Sequence, residues 1–203
     1  MIETLYFVAV SYLTGSIPFG YLVCRLFRGI DIRTHGSGNI GATNVYRTVG
    51  PRFGLPVLFM DMAKGAIPVI LAKNFLDHRP ESLVIIGVAA VAGHSFPVFL
   101  RGKGGKGVAT SFGVIAALLP LPAVFSLATW LIVFIMSGYV SAASLIAAFS
   151  LPFFILLFGK DTVYLLTGIL IFILIVVTHR ENIRRMMRKE ENRVKLPWTK
   201  KPR

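Results

Sequence analysis

A seven-residue stretch near the middle of the chain, RGKGGKG, combines three cations with four glycines. The glycines are Gly102, Gly104, Gly105 and Gly107. They allow consecutive backbone N–H groups to turn toward one point, an arrangement that binds anions. A helix predicted from about residue 107 would add the positive end of its dipole, and Lys106 would add a point charge. The pattern predicts a phosphate site, although an ordinary basic loop rich in glycine has the same composition.

Neither glycine pattern in the chain predicts nucleotide binding. In a Walker A loop the lysine precedes Ser or Thr and the loop follows a strand, whereas Gly107 follows Lys106 here and no strand pattern precedes them. A formal G-x-G-x-x-G at Gly36, Gly38 and Gly41 lacks the strand–helix–strand context of a dinucleotide-binding fold. No cofactor is therefore expected.

A second polar cluster, THGSGNIGATNVYRTVG, runs from Thr34 to Gly50 and is dense in small hydrogen-bonding side chains. Its candidate ligand-binding residues are Ser37, Asn39, Thr43, Asn44 and Arg47. A helix over about residues 40–48 would place Thr43 and Arg47 on one face, since they are four residues apart. A capped helix at the membrane interface would also use Ser and Asn, so both interpretations stay open at this point.

A third polar cluster, THRENIRR, follows the last apolar segment. His179 and Asn182 are three residues apart and share a face if that helix continues beyond the membrane. With the neighbouring arginines they make a donor-rich turn suited to phosphate. His94 lies in a Gly-His-Ser turn and is either a ligand-binding or a buried hydrogen-bonding residue. No second histidine stands at metal spacing and Cys24 is the single cysteine, so no metal site is predicted.

Polar residues inside the apolar segments are few. Asp61 and Lys64, three residues apart, predict an ion pair within the membrane, for which a structural role is favoured over a proton relay. Ser141 and Ser144 are small residues suited to close helix packing. Ser144 is also a candidate substrate contact.

The chain that positions these clusters has the composition of a membrane protein. It has 203 residues, is 55% hydrophobic and only 15% charged, and has a mean hydropathy of +0.71. Several apolar runs approach or exceed the roughly 18–20 residues that cross a bilayer as a helix. We therefore predict an all-α polytopic bundle of about seven transmembrane helices, with one domain over 1–190 and a basic tail over 191–203.

The predicted spans are about 5–27, 53–73, 82–99, 107–121, 123–137, 140–158 and 162–178. The fourth and fifth are short and separated only by PLP, so one broken hairpin is an alternative. Eighteen of the 22 Lys and Arg residues fall in alternate loops on one side of this arrangement. The positive-inside rule places that side in the cytoplasm, with the N-terminus outside and the C-terminus inside.

All three polar clusters fall on the predicted cytoplasmic side, which predicts a site at the cytoplasmic face of the cell membrane. The basic tail could bind nucleic acid, but contact with anionic lipid headgroups explains it, so no nucleic-acid partner is expected. An anion transporter with the glycine loop as its filter is the rival class. Such transporters often have repeated halves and helices broken near the midplane. The one-sided clusters and the lack of a repeat favour an enzyme instead.

Over nearly its whole length the chain resembles the bacterial acyl-phosphate:glycerol-3-phosphate acyltransferases, the PlsY family. The blocks that carry the resemblance are GSIPFGYLV, GSGNIGATNV, GHSFPVFLRGKGGKGVATS, YVSAAS and HRENIRR. The resemblance implies a multi-pass enzyme of the inner membrane that moves a long-chain acyl group from acyl phosphate to the 1-hydroxyl of glycerol 3-phosphate. The products are lysophosphatidic acid and phosphate. Only the resemblance excludes acyl-ACP or acyl-CoA as the donor.

The resemblance also implies roles for individual residues. The catalytic contacts are Ser37, Lys106, His179 and Asn182. The substrate-binding residues are Asn39, Thr43, Arg47, Gly102, Gly104, Gly105, Gly107 and Ser144.

Carboxylates are scarce in the three clusters, since Asp31 and Glu181 only border them. His179 stands among cations, which lowers its affinity for a proton. The leaving phosphate is itself a base. We therefore expect substrate-assisted attack, in which the phosphate takes the hydroxyl proton while the protein supplies positioning and charge stabilisation.

Overall fold

The computed structural model describes residues 2–76 and 79–194. These residues form ten α-helices and no strand, which confirms the predicted all-α class. The helices are α1 Ile2–Gly15, α2 Phe19–Arg28, α3 Ala42–Val49, α4 Pro51–Phe75, α5 Pro80–Ser95, α6 Val108–Leu118, α7 Pro120–Ser137, α8 Val140–Leu157, α9 Thr162–Thr178 and α10 Arg180–Met187.

Five helical segments of the described chain are long and apolar enough to cross a membrane. They are Ile2–Arg28, Pro51–Phe75, Pro80–Leu100, Pro120–Ser137 and Val140–Leu157. A sixth candidate is the pair α9 and α10, which bend by 59° at their junction. The multi-pass class is supported, while seven spans and the orientation of the termini stay predictions.

The predicted span over 107–121 is the short helix α6, which has 11 residues. At 1.5 Å per residue it is about 16 Å long, roughly half of a hydrocarbon core. It ends at Leu118, and after Leu119 the next helix, α7, starts at Pro120. Proline disfavours the helical conformation in the residue before it, which explains the break. The two segments are thus separate helices joined by a single residue.

Helix α6 packs closely along the second half of α4. A Cβ on Gly65 would lie 2.3 Å from the carbonyl oxygen of Thr110, so only glycine allows this approach. Farther along, Lys73 Nζ donates to the carbonyl oxygen of Ala117 near the end of α4. The start of α6 is thus level with residue 65 rather than with the start of α4. The glycine loop is therefore inset into the bundle by roughly 15–20 Å along α4.

The second polar cluster has its own small apolar core. The buried side chains of this core come from α2, the loop after it, α3 and the first turns of α4. They are Cys24, Ile32, Ile40, Val45 and Val57. Gly20 lets α2 approach this loop, because a Cβ there would lie 1.8 Å from the carbonyl oxygen of Ile40. The cluster is thereby anchored to the helical body.

After α10 the chain reverses and packs back on the bundle. The Lys189 N–H donates to Met186 O and the Glu190 N–H to Arg185 O, the pair of bonds of a Schellman motif. Lys189 takes the left-handed conformation, with φ of 61°. Val194 N then donates to Gly138 O over 2.9 Å. The first four residues assigned to the basic tail thus contact the body, and residues 195–203 lie outside the described residues.

Candidate active site

One cavity of about 410 Å³ brings the three polar clusters together, a volume within the usual range for ligand pockets. Nine of the twelve predicted site residues line it, which supports their assignment to a single site. They are Ser37, Asn39, Thr43, Arg47, Lys106, Gly107, Ser144, His179 and Asn182.

The remaining three predicted residues, Gly102, Gly104 and Gly105, do not line the cavity. The Gly102 N–H donates to Pro97 O and the Gly105 N–H to His94 O, over 2.9 and 3.0 Å. The prediction that these N–H groups turn toward a ligand is therefore wrong for Gly102 and Gly105, because backbone carbonyls already bind them. The anion-binding element that remains is the N-terminus of α6, where Gly107 adopts a φ of +82° and the first helical residues border the cavity.

Lys106 joins the glycine loop to the end of α9. Its Nζ donates to Asn182 Oδ1, and its carbonyl oxygen accepts from Thr178 Oγ1 over 3.0 Å. Burial is the main cause that lowers the pKa of Lys106, Glu191 opposes it, and Arg185 and Arg47 add to it; the resulting pKa is about 8. The ammonium group is therefore mostly charged at neutral pH and poorly solvated. Such a group interacts strongly with an incoming phosphate.

His179 is the single residue between α9 and α10. Its Nδ1 lies 2.8 Å from the carbonyl oxygen of Ile175. Because a carbonyl can only accept, the neutral ring carries its proton on Nδ1 and leaves Nε2 as an acceptor. Burial, with the charge of Lys106, lowers the pKa of His179 to about 4. The ring is thus neutral at physiological pH, with a lone pair that is weakly basic.

Asn44, one of the predicted donors, also lines the cavity, but its side-chain amide is already engaged in hydrogen bonds within the second cluster. Its Nδ2 donates to the carbonyl oxygens of His35 and Asn39, and its Oδ1 accepts from Ser37 N. Asn44 thereby fixes the loop that carries Ser37 and Asn39 at the mouth of the cavity. Arg47 lies at the exposed edge of the cavity and donates to Asn192 O over 3.0 Å.

Glu191 is a residue of the site that sequence analysis missed. Its carboxylate accepts from Ser141 Oγ at 2.9 Å, Asn182 Nδ2 at 2.7 Å and Arg185 Nε at 2.8 Å. Burial opposes the charge of this side chain, but the three hydrogen bonds outweigh it and lower the pKa of Glu191. Glu191 therefore fixes the rotamer of Asn182 and ties α8 to α10. An acid in an otherwise basic segment was the only signal in the sequence.

We expect Glu191→Gln to destabilise the fold by roughly 1–3 kcal/mol, since charged hydrogen bonds to Arg185 and Asn182 are lost. Thermal unfolding in detergent measures this, with the exposed neighbour in Glu190→Gln as the control. Because the folded-state pKa is lowered, the stabilisation is present at neutral pH and is lost as the pH falls into the acid range. Equal melting temperatures for the two variants would contradict the prediction.

Away from the polar end the cavity continues between apolar helix faces. On α9, Ile171 and Ile175 precede His179 at intervals of four residues and line the same cavity. On α8, Ala148 follows Ser144 by four residues and Leu151 follows Ala148 by three, and both line the cavity. Ser144 Oγ already donates to Val140 O and accepts from Trp130 Nε1. The cavity thus has a cationic end for a phosphate and an apolar wall for a hydrocarbon chain.

Comparisons with known proteins agree with this chemistry. A family model described as glycerol-3-phosphate acyltransferase matches residues 5–189. Relatives bearing that name include the protein of Desulforudis audaxviator, 45% identical over 92% of this chain and 93% of the relative. The protein of Aquifex aeolicus is 43% identical over 94% of this chain and 99% of the relative.

Two solved structures have the same fold. The glycerol 3-phosphate form of PlsY (YgiH), an integral membrane glycerol 3-phosphate acyltransferase, superposes with a TM-score of 0.91 at 42% identity, over 95% of this chain and 96% of that chain. The lysophosphatidic acid form superposes with a TM-score of 0.89 over the same shares. With the matching sequence and the phosphate-compatible cavity, these findings show that the chain is an acyltransferase and belongs to the glycerol-3-phosphate acyltransferase family.

Proposed function

We propose that this protein transfers the acyl group of a long-chain acyl phosphate to the 1-hydroxyl of glycerol 3-phosphate at the cytoplasmic face of the inner membrane. The observation that carries the proposal is that Lys106, His179 and the start of α6 meet an apolar wall in one cavity. Both substrates carry a phosphate and one carries an acyl chain. The bound forms of the solved PlsY structures support glycerol 3-phosphate as the acceptor and lysophosphatidic acid as the product.

In the proposed reaction the 1-hydroxyl oxygen attacks the acyl carbonyl carbon, and the bond from that carbon to the phosphate oxygen breaks. Nε2 of His179 is an acceptor that orients glycerol 3-phosphate without engaging the proton of the attacking hydroxyl. Lys106 and the N-terminus of α6 stabilise the negative charge on the departing phosphate. The phosphate takes the hydroxyl proton, so that lysophosphatidic acid and inorganic phosphate leave the site.

The groups around the cavity support a substrate base. Its carboxylates, among the described residues, are Asp61 and Glu191. Asp61 pairs with Lys64 over 2.8 Å, and Glu191 accepts three hydrogen bonds. A phosphate monoester, with a second pKa of about 6, binds a proton more tightly than His179, whose pKa is about 4. The substrate phosphate is therefore the strongest unengaged base.

The donor is tested with purified protein, glycerol 3-phosphate and one of three donors: acyl phosphate, acyl-ACP or acyl-CoA. Labelled lysophosphatidic acid and released phosphate are both measured. We expect equal amounts of the two products with acyl phosphate and no turnover with the other donors. Turnover with acyl-ACP or acyl-CoA at a comparable rate would overturn the proposed donor.

The proposed orientation predicts the reactivity of single cysteines toward an impermeant thiol reagent in intact cells. In a Cys24→Ser background, cysteines at Thr34 and Lys103 should be protected and one at Lys160 should react. The reason is that the first two lie on the strongly basic side of the chain. Permeabilised cells provide the control, since all three positions are exposed there. Labelling at Thr34 and Lys103 from outside, with protection at Lys160, would reverse the orientation.

A further inference from the structure

A buried polar cluster lies beneath the glycine loop, and the reaction above gives it no role. It consists of Asp61 and Lys64 from α4 and His94 from α5, all at most 6% exposed. Lys64 Nζ lies 2.8 Å from Asp61 Oδ1 and donates to Ile17 O, also over 2.8 Å. Buried ion pairs contribute little net stability, and specifying one arrangement of the structure is a better-supported use of them.

The third member of this cluster, His94, holds the glycine loop directly. Its carbonyl oxygen accepts from Gly105 N over 3.0 Å. A Cβ on Gly105 would lie 2.1 Å from His94 Nε2, and one on Gly104 would lie 2.2 Å from His94 O. Neither glycine has a positive φ, so the backbone conformation does not require glycine there. The close approach to His94 requires it.

The same geometry excludes His94 as a proton acceptor for the substrate. Its Nε2 is covered by the backbone of Gly105, and its Nδ1 lies 3.6 Å from Asp61 Oδ1. That separation is beyond hydrogen-bond length, so Nδ1 faces the carboxylate without a hydrogen bond to it. The imidazole is therefore held between the carboxylate and the loop.

We infer that Asp61, Lys64 and His94 are positioning residues that set the height of the glycine loop, and through it the place of Lys106. Gly105 directly precedes Lys106, so any shift of its backbone moves the ammonium group away from Asn182. Lys64 fixes the other end of the cluster, because its bond to Ile17 O lies at the break between α1 and α2. Small displacements of a charge-stabilising group have large effects on rate.

The contact between His94 and the loop is tested by a double-mutant cycle on kcat/KM, measured with glycerol 3-phosphate and whichever acyl donor the wild type uses. In the wild type, Gly105→Ala should lower kcat/KM by roughly a hundredfold, because the new Cβ collides with the ring. In a His94→Ala background the same change should cost less than about fivefold. Equal costs in the two backgrounds would overturn the inference.

The ion pair is tested by the double variant Asp61→Asn/Lys64→Met, which leaves no unpaired buried charge. The matched control is Lys73→Met, since Lys73 also sits on α4 and donates to a backbone carbonyl of another element, but does not line the cavity. We expect kcat/KM to fall about tenfold in the double variant and to stay at the wild-type value in the control, with similar melting temperatures. Loss of stability in the double variant at unchanged kcat/KM would make the pair merely structural.

These experiments rest on the proposed function only for the choice of donor. A wrong donor shows in the wild-type assay itself, and the cycle is then run with the donor that the wild type accepts. If the inference fails, Gly105→Ala lowers kcat/KM by the same factor whether or not His94 is present.

Discussion

Replacing Lys106 with alanine is expected to lower kcat/KM for acyl transfer by about a hundredfold or more. Lys106 holds a partly desolvated charge next to Asn182 and the N-terminus of α6. Removing one strong electrostatic donor of this kind costs about 2.7–4 kcal/mol of transition-state stabilisation. Steady-state rates of phosphate release at subsaturating substrate measure the effect.

The control for this experiment is Lys103→Ala, in the same loop. Lys103 is exposed and does not line the cavity, so its loss should change kcat/KM by less than about threefold. Similar, mild effects at both positions would identify a generic basic loop and contradict the assignment of Lys106.

The pH dependence adds a second measurement on the same residue. Because burial lowers the pKa of Lys106 to about 8, its charge is lost as the pH rises through that value. The wild-type kcat/KM should therefore decline above about pH 8, and Lys106→Ala should lack this decline.

Replacing His179 with glutamine is expected to lower kcat/KM by roughly a hundredfold and still leave measurable turnover. The amide keeps a polar group at the junction of α9 and α10 but takes no proton. If the substrate phosphate is the base, the ascending limb of the pH profile follows the phosphate, near pH 6, in the wild type and in the variant. The pKa of His179 near 4 lies below that limb.

An obligatory histidine base would give a different result. The ascending limb would then belong to His179 and would disappear in the variant, and the rate would fall by more than about 10⁴-fold, beyond the usual range for general-base catalysis. Rates against pH for the wild type and His179→Gln, with acyl phosphate at subsaturating concentration, separate the two mechanisms. His179→Ala provides a control in which the polar group is lost as well.

The convergence of the three polar clusters could be predicted from their residue types and from the order of the loops in the chain. Ser37, Lys106 and Asn182 come from segments that hydropathy separates by apolar helices, and the distribution of cations assigns those segments to one side. Proximity then follows from the packing of the helices. The Asp61–Lys64 pair was predictable from its spacing alone, and the structure confirms it at 2.8 Å.

The partners of the loop N–H groups were not predictable, because they depend on tertiary structure. The sequence places Gly105 in a glycine loop before a predicted helix, but it does not show that the carbonyl oxygen of His94 already accepts from the Gly105 N–H group. The short length of α6 could not be predicted either. Leu119 separates α6 from α7, and its hydropathy does not differ from that of the helical residues around it.

Glu191 was missed for a local reason. Many helices end at a residue in the left-handed conformation, and that residue is usually glycine. A glycine after α10 would therefore have predicted a turn of the chain back toward the body. Lys189 occupies that position instead, so the sequence has no visible signal for the reversal. Without the reversal, Glu191 would be assigned to a solvated tail.

The polar end of the cavity takes residues from Ser37 to Glu191, and α9 with its junction at His179 forms one side of it. During translation the two earlier polar clusters are made well before α9, because they precede it in the chain. A nascent chain that lacks α9 has Lys106 without Asn182 and an apolar groove without one wall. We therefore expect acyl transfer to begin only after α9 and α10 have been made, so that incomplete chains do not consume the acyl donor.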